Sequence, residues 1–129
     1  MNTLAFIPAR SGSKGVIDKN IRNLNGIPLL AYSVHIAQLC FKQGIFSDVL
    51  VSTDSIQYLQ KIKQTGYTKE YIRPKELAQD ESPTIDAITH AINDYAKKNI
   101  FFDNVMILQP TSPFRCIKDI KKSIQILES

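Results

Sequence analysis

A chain of 129 residues accommodates one domain built around one core. Hydrophobic residues make up 43% and charged residues 22%, the balance of an ordinary globular protein; no apolar run approaches the ~20 residues of a membrane-spanning helix, which argues against a membrane partner. The net charge of +4 is mild and its lysines are scattered, apart from Lys97-Lys98 and the Lys118, Lys121, Lys122 group; both fall on predicted helices and read as solvated faces, which argues against nucleic acid as a partner.

Leu4-Ala5-Phe6-Ile7 is a short continuous apolar run, the pattern of a strand buried on both faces, and Pro8 ends it. Residues 9–26 read as a long loop, with Gly12, Gly15 and Gly26 among Asn20, Asn23 and Asn25. Pro28 opens a helix at its first turn, where the missing N–H costs nothing; the helix reaches about Gln43, and Gly44 suits its C-terminal end. Asp48–Ser52 is the second strand, and Ser55 to Gln64 the second helix, stopped by Gly66. Glu70-Tyr71-Ile72 is predicted as a short third strand closed by Pro74, followed by a polar loop over 74–83. A third helix begins at Pro83 or Thr84 and reaches about Lys98, with Ile85, Ile88, Ile92 and Tyr95 expected on one buried face. Val105–Leu108 is the fourth strand, ended by Pro110, and a last helix covers about Ile117–Leu127.

This alternation predicts an α/β domain over residues 1–129: a mainly parallel sheet between two layers of helices. Right-handed crossovers give the strand order 3-2-1-4. Ligands of such sheets bind at the C-terminal strand ends, near the switch point between strands 1 and 4. The loops there are 8–26, 53–55, 73–83 and 109–116, and they hold the most unusual polar clusters of the chain.

In the first loop, Gly12 and Gly15 let backbone N–H groups turn toward one spot, while Arg10, Lys14 and Lys19 bring three positive charges within ten residues. That combination suits a triphosphate, though neither GxxxxGK[ST] nor GxGxxG is present. In the second loop Asp54 is open to three readings: helix N-cap, polar ligand or metal ligand. Arg73, Ser82 and Thr84 belong to the third loop, the last two standing at a helix start, where they serve as caps or favour an anion or a polar base edge. Gln109, Thr111 and Ser112 sit on a fourth loop stiffened by Pro110 and Pro113. Gln109 stands at the end of a buried strand, where a polar residue needs partners. Asp86, His90 and Asp94 share one helix face at i, i+4 spacing, read as solvated rather than metal-binding; His35 reads as an ordinary packed or half-exposed histidine. Cys40 and Cys116 lie far apart among apolar residues and read as free thiols. The N-terminus lacks a basic segment followed by a long apolar stretch, so a cytoplasmic location is expected. These residues by themselves point to a polyanion plus a small polar ligand.

The blocks IPARSGSKG…KNI, VSTDS, RPKELAQD and LQPTSPFR, in that order, resemble the acylneuraminate cytidylyltransferases, the CMP-sialic acid synthetases. The resemblance spans the whole chain and implies a Rossmann-like three-layer α/β/α fold of the nucleotide-diphospho-sugar transferase type. It implies transfer of CMP from CTP to the anomeric hydroxyl of a nonulosonic acid with release of pyrophosphate, supported by Mg²⁺. By position, Arg10, Ser13, Lys14 and Lys19 would cradle the phosphates, with Asn20 near the ribose; Lys14 and Lys19 would stabilise the departing pyrophosphate. Arg73, Ser82 and Thr84 would form the cytosine pocket, and Gln109, Thr111 and Ser112 would face the sugar. Family chains continue past this length, so the acidic metal ligands are expected outside it, and a homodimer or a partner chain would supply the missing part. Were residue 129 the end, the fourth strand would be an uncovered sheet edge. The alternatives are a nucleotide-binding remnant without turnover and a related sugar nucleotidyltransferase.

Overall fold

The computed structural model describes residues 2–11, 23–24, 26–79 and 82–110. In chain order the elements are β1 (Thr3–Pro8), β2 (Asn23–Leu24), β3 (Ile27–Pro28), α1 (Leu29–Lys42), β4 (Asp48–Ser52), α2 (Ile56–Lys61), α3 (Thr84–Ala96) and β5 (Asn104–Ile107), with 3₁₀ turns at Lys63–Thr65 and Lys75–Leu77.

β1 is the central strand. It pairs in parallel with β4 on one side and β5 on the other, with Leu4 opposite Asp48 and Val105, and Phe6 opposite Leu50 and Ile107. Successive side chains of a strand point to opposite faces. Leu4, Phe6 and Leu50 therefore meet Ala87, Ala91 and Tyr95 of α3, while Ala5, Ile7, Val49 and Val51 meet Leu30, Val34, Ala37 and Cys40 of α1 with Tyr58 and Leu59 of α2. Helices thus cover both faces, as the alternation of elements predicts. Each fully buried large side chain in these clusters contributes about 1.5–3 kcal/mol by leaving water.

Local chemistry fixes the helix ends. α1 follows Pro28 and closes in a Schellman motif: Gly44 N–H donates to the Phe41 carbonyl at 3.0 Å and Ile45 N–H to the Cys40 carbonyl at 2.9 Å. The motif needs a left-handed residue, and Gly44 supplies it at φ 78°. α3 closes the same way with Asn99 at φ 61°, Ile100 N–H donating to the Tyr95 carbonyl at 3.1 Å. Cys40 is fully buried, and burial pushes its thiol pKa up, as expected of an inert core cysteine. Cys116 and the predicted last helix lie outside the described residues.

Four expectations need correction. The segment Glu70–Ile72 is not a strand, so the described sheet is the 2-1-4 portion of the predicted 3-2-1-4 order. Side chains of Tyr67 and Lys69, just before this segment, satisfy the outer edge of β4. Val51 N–H donates to Tyr67 Oη at 2.9 Å, and Lys69 Nζ donates to the Val49 carbonyl. Long side chains inserted between the two segments keep the backbones too far apart for a ladder. Ile85 is 63% exposed, not part of the buried face. The buried stripe centres on Ala91, and at 3.6 residues per turn Ile85 lies roughly 120° around the helix from it. The small alanines, not the isoleucines, let α3 approach the sheet. Third, the loop 9–26 contains a short strand, β2, which pairs antiparallel with β3 just beyond it, Asn23 opposite Pro28. Fourth, His90 is half-buried rather than solvated: its Nδ1 and Tyr71 Oη share a 2.6 Å hydrogen bond. Asp86 is exposed, Asp94 reaches Lys98 at 3.9 Å, and His35 is exposed. Among the described residues no helix is long and apolar enough to cross a membrane.

Candidate nucleotide site at the C-terminal rim of the sheet

The parallel strands β1 and β4 end side by side, tied by Ala9 N–H donating to the Ser52 carbonyl at 2.9 Å. Beyond that bond the chain leaves the sheet as Arg10-Ser11 and as Thr53-Asp54. Asp54 reaches across and takes both donors of Ser11: the N–H at 2.8 Å on Oδ1 and the hydroxyl at 2.7 Å on Oδ2. The N-cap reading of Asp54 is thereby corrected. Ser55 caps α2, its Oγ accepting Tyr58 N–H at 3.2 Å, and Thr53 Oγ1 accepts Ser55 N–H at 3.2 Å. With cap duty taken by its neighbour, Asp54 turns back over the sheet.

Arg73 is the second anchor of the rim. Its side chain is buried, with 5% exposure, and it ties the third loop to the end of β4. Nε donates to Ser52 Oγ at 2.8 Å, one terminal nitrogen to the Ser52 carbonyl at 2.9 Å, the other to the Leu77 carbonyl at 3.4 Å, while its own N–H donates to the Thr53 carbonyl at 2.7 Å. Burial pulls its guanidinium pKa down; nearby Asp54 and Tyr71 oppose that shift and Arg10 adds to it. Among the described residues two guanidiniums and one carboxylate therefore share this corner, a net positive balance.

Ser82 and Thr84 do not cap α3, whose N-cap is Pro83 without a side-chain bond. Ser82 instead holds the 3₁₀ turn: Gln79 N–H donates to its Oγ at 3.1 Å, and the hydroxyl donates to the Glu76 carbonyl at 3.1 Å. Arg73 and Ser82 thus grip adjacent carbonyls of one turn. Thr84 is exposed at the first position of α3. Gln109 is exposed just past β5, between the buried Leu108 and Pro110, contrary to the expectation of a partnered polar residue at a buried strand end: its side chain points away from the core that its neighbours enter. Ser13, Lys14, Lys19, Asn20, Thr111 and Ser112 lie outside the described residues.

A cavity of about 540 Å³ lies elsewhere, between α2 and the segment 67–72. It touches the neighbourhood of the rim only through Ile56 and Ile72, next in sequence to Ser55 and Arg73.

The geometry is that of a parallel α/β sheet with an electropositive C-terminal rim. Compared with known proteins, residues 4–129 match the family model described as Cytidylyltransferase. The chain belongs to the cytidylyltransferase family. It is 37% identical over 126 residues to the CMP-N,N'-diacetyllegionaminic acid synthase of Legionella pneumophila, an alignment covering 98% of this chain and 53% of that protein. It is also 37% identical over 126 residues to the N-acylneuraminate cytidylyltransferase of Escherichia coli, covering 98% of this chain and 28% of the relative. The cytidylyltransferase chain therefore spans about half, or less, of the length of these relatives. A solved CMP:2-keto-3-deoxy-manno-octonic acid synthetase complexed with CTP superposes with a TM-score of 0.79 over 99% of this chain and 48% of its own, at 20% identity; that likeness establishes the shared fold.

Mg²⁺ is the ion that the sequence resemblance implies. Among the described residues no group of three or more His, Cys, Asp or Glu side chains is placed to hold a metal. Asp54, the carboxylate beside Arg10 and Arg73, already engages Ser11 with both oxygens. These residues do not fit the ion, and no step below is routed through it.

Sequence reasoning missed Ser11 as a partner of Asp54 and Ser52 as the seat of Arg73. The signal was the run Ser52-Thr53-Asp54-Ser55, in which all four residues are of types that suit a helix cap. Only the direction of the backbone at the strand end decides among them.

Proposed function

We propose that this chain forms the nucleotide-binding part of a cytidylyltransferase that transfers CMP from CTP to a nonulosonic acid. The observation that carries the reading is the meeting of Arg10, Ser11–Asp54 and Arg73 at the adjoining ends of β1 and β4, within the span matched to the family. Similarity to relatives named for legionaminic and N-acylneuraminic acids supports the acceptor class.

In this reading Arg10, Ser13, Lys14 and Lys19 neutralise the triphosphate, so that an anionic sugar acid approaches with less repulsion. Asn20 contacts the ribose. Arg73 and Ser82, both bonded to carbonyls of the 75–77 turn, with Thr84 at the start of α3, define the base-binding edge. Gln109, Thr111 and Ser112 orient the acceptor. Its anomeric hydroxyl oxygen bonds to the α-phosphorus as the α–β bridging bond breaks; the hydroxyl proton is released, and Lys14 and Lys19 take up the charge gathering on pyrophosphate.

The test is calorimetric titration of the chain with CTP, followed by a pyrophosphate-release assay with N-acylneuraminate. CTP binding in preference to ATP is expected. Lys19→Ala, in the same titration, weakens CTP by roughly tenfold or more, about 1.4 kcal/mol, with little loss of stability. Equal affinity for CTP in wild type and variant removes the phosphate-cradle assignment; absence of CTP binding by the wild type removes the reading itself.

A further inference from the structure

A carboxylate beside a site for a polyanion opposes binding by like-charge repulsion. Asp54 nonetheless sits there, next to the residue from which the first loop departs, and it is not needed as a helix cap because Ser55 serves α2. Every polar group of Ser11 is engaged at this point: the N–H and hydroxyl with Asp54, at 2.8 and 2.7 Å, and the carbonyl with Tyr58 Oη at 3.4 Å. Asp54 is itself held by a short, internally bonded stretch, since the Thr53 hydroxyl accepts Ser55 N–H and the Thr53 carbonyl accepts Arg73 N–H.

We propose that Asp54 is a positioning residue which, through its paired bonds to Ser11, sets the direction in which the first loop leaves β1. The proposal rests on the nucleotide-binding reading above and adds a residue to it. Its content is geometric: the carboxylate matters for the two bonds it accepts, and its charge is a cost tolerated for them. The third loop is moored to the same strand end by Arg73 on Ser52. One tetrapeptide, Ser52 to Ser55, therefore aligns the two loops that frame the rim.

Substitution separates geometry from charge. Asp54→Asn is isosteric and neutral. Its carbonyl accepts Ser11 N–H, and its amide donates to Ser11 Oγ, which then acts as acceptor. Asp54→Ala removes both bonds. Two readouts are taken on the full chain: CTP affinity by calorimetry and exchange of the Ser11 amide proton by NMR without ligand. Asp54→Asn is expected to bind CTP within about threefold of wild type and to keep Ser11 protected. Asp54→Ala is expected to weaken CTP by roughly tenfold or more and to speed Ser11 exchange by a similar factor. Ser11→Ala keeps the charge and loses one bond, and its expected loss is intermediate; this variant carries the test should Asp54→Ala fail to fold. Asparagine as damaging as alanine, or wild-type affinity in Asp54→Ala or Ser11→Ala, overturns the proposal. If wild type itself binds no CTP, the functional reading falls separately. Ser11 exchange then decides the clamp, with unchanged exchange in Asp54→Ala overturning it and accelerated exchange upholding it.

Discussion

The two ends of the parallel sheet use polar residues differently. At the N-terminal end they join elements to one another. Asn2 N–H donates to Asp103 at 2.9 Å, Ser47 N–H to the Thr3 carbonyl at 2.8 Å, and Asp48 accepts Tyr95 Oη at 2.9 Å while pairing with Lys69. Asp48 and Lys69 pair there on the β4 side, and Asp103 holds Asn2 on the β5 side. At the C-terminal end two guanidiniums face one carboxylate, and the bonds run along loops rather than between layers. One end consumes its polarity in holding the domain together, and the other gathers Arg10 and Arg73 beside Asp54. A parallel sheet produces this division because all its strands point the same way, so that its loops of entry and exit gather at opposite ends.

Arg73 is where the division is least clean, and its removal has the largest expected effect. Arg73→Ala deletes the donors that serve Ser52 and Leu77 and empties a buried site, so a stability loss of about 2–4 kcal/mol is expected in urea unfolding, together with loss of CTP binding. Stability unchanged with binding lost would make Arg73 a ligand contact and not an anchor. Asp48→Ala sharpens the contrast from the other end. It strips Tyr95 and Lys69 of a partner and is expected to cost about 1–2 kcal/mol with CTP affinity unchanged. A coupled loss of affinity would mean that the two ends are not independent.

The smallest effect is one of pH. Burial raises the Tyr71 phenol pKa to about 12, and burial likewise raises Tyr67 and Tyr95, the latter helped by the Asp48 charge. A raised phenol favours the protonated, folded state. Its stabilisation is complete below the unfolded value near ~10 and is lost as pH rises through the folded value. Stability is therefore expected to be flat to about pH 9 and to fall from about pH 10 toward 12, read by urea unfolding across that range. Tyr71→Phe shallows the fall, and an unchanged profile in that variant would remove Tyr71 from the account.

Much of the fold was legible before any coordinates. The apolar run Leu4–Ile7, the Pro28 and Gly44 limits of α1 and the apolar run beginning at Val105 required only local patterns, and the parallel pairing of β4, β1 and β5 followed from their alternation with helices. The third strand was misread because Tyr71-Ile72 has strand-like composition, whereas strand identity needs a backbone partner at ladder distance. Tyr67 and Lys69 occupy that gap. On α3, Ile88, Ile92 and Tyr95 do pack toward the sheet, but Ile85 was misplaced because large apolar residues draw the eye, while the fully buried positions are Ala87 and Ala91.

The site divides along the same line. The sequence by itself determined the family, the positive residues of the first loop and which loops leave the C-terminal strand ends, because these depend on residue types and on strand–helix order. Tertiary structure alone decided that Asp54 serves Ser11 and not a helix cap, that Arg73 is buried on Ser52, and that Ser82 holds a turn beside it. Those pairings join residues 21 to 43 positions apart or depend on where a backbone turns. Spacing along a chain carries no information about which of several equivalent donors a carboxylate will meet once the strands are laid side by side.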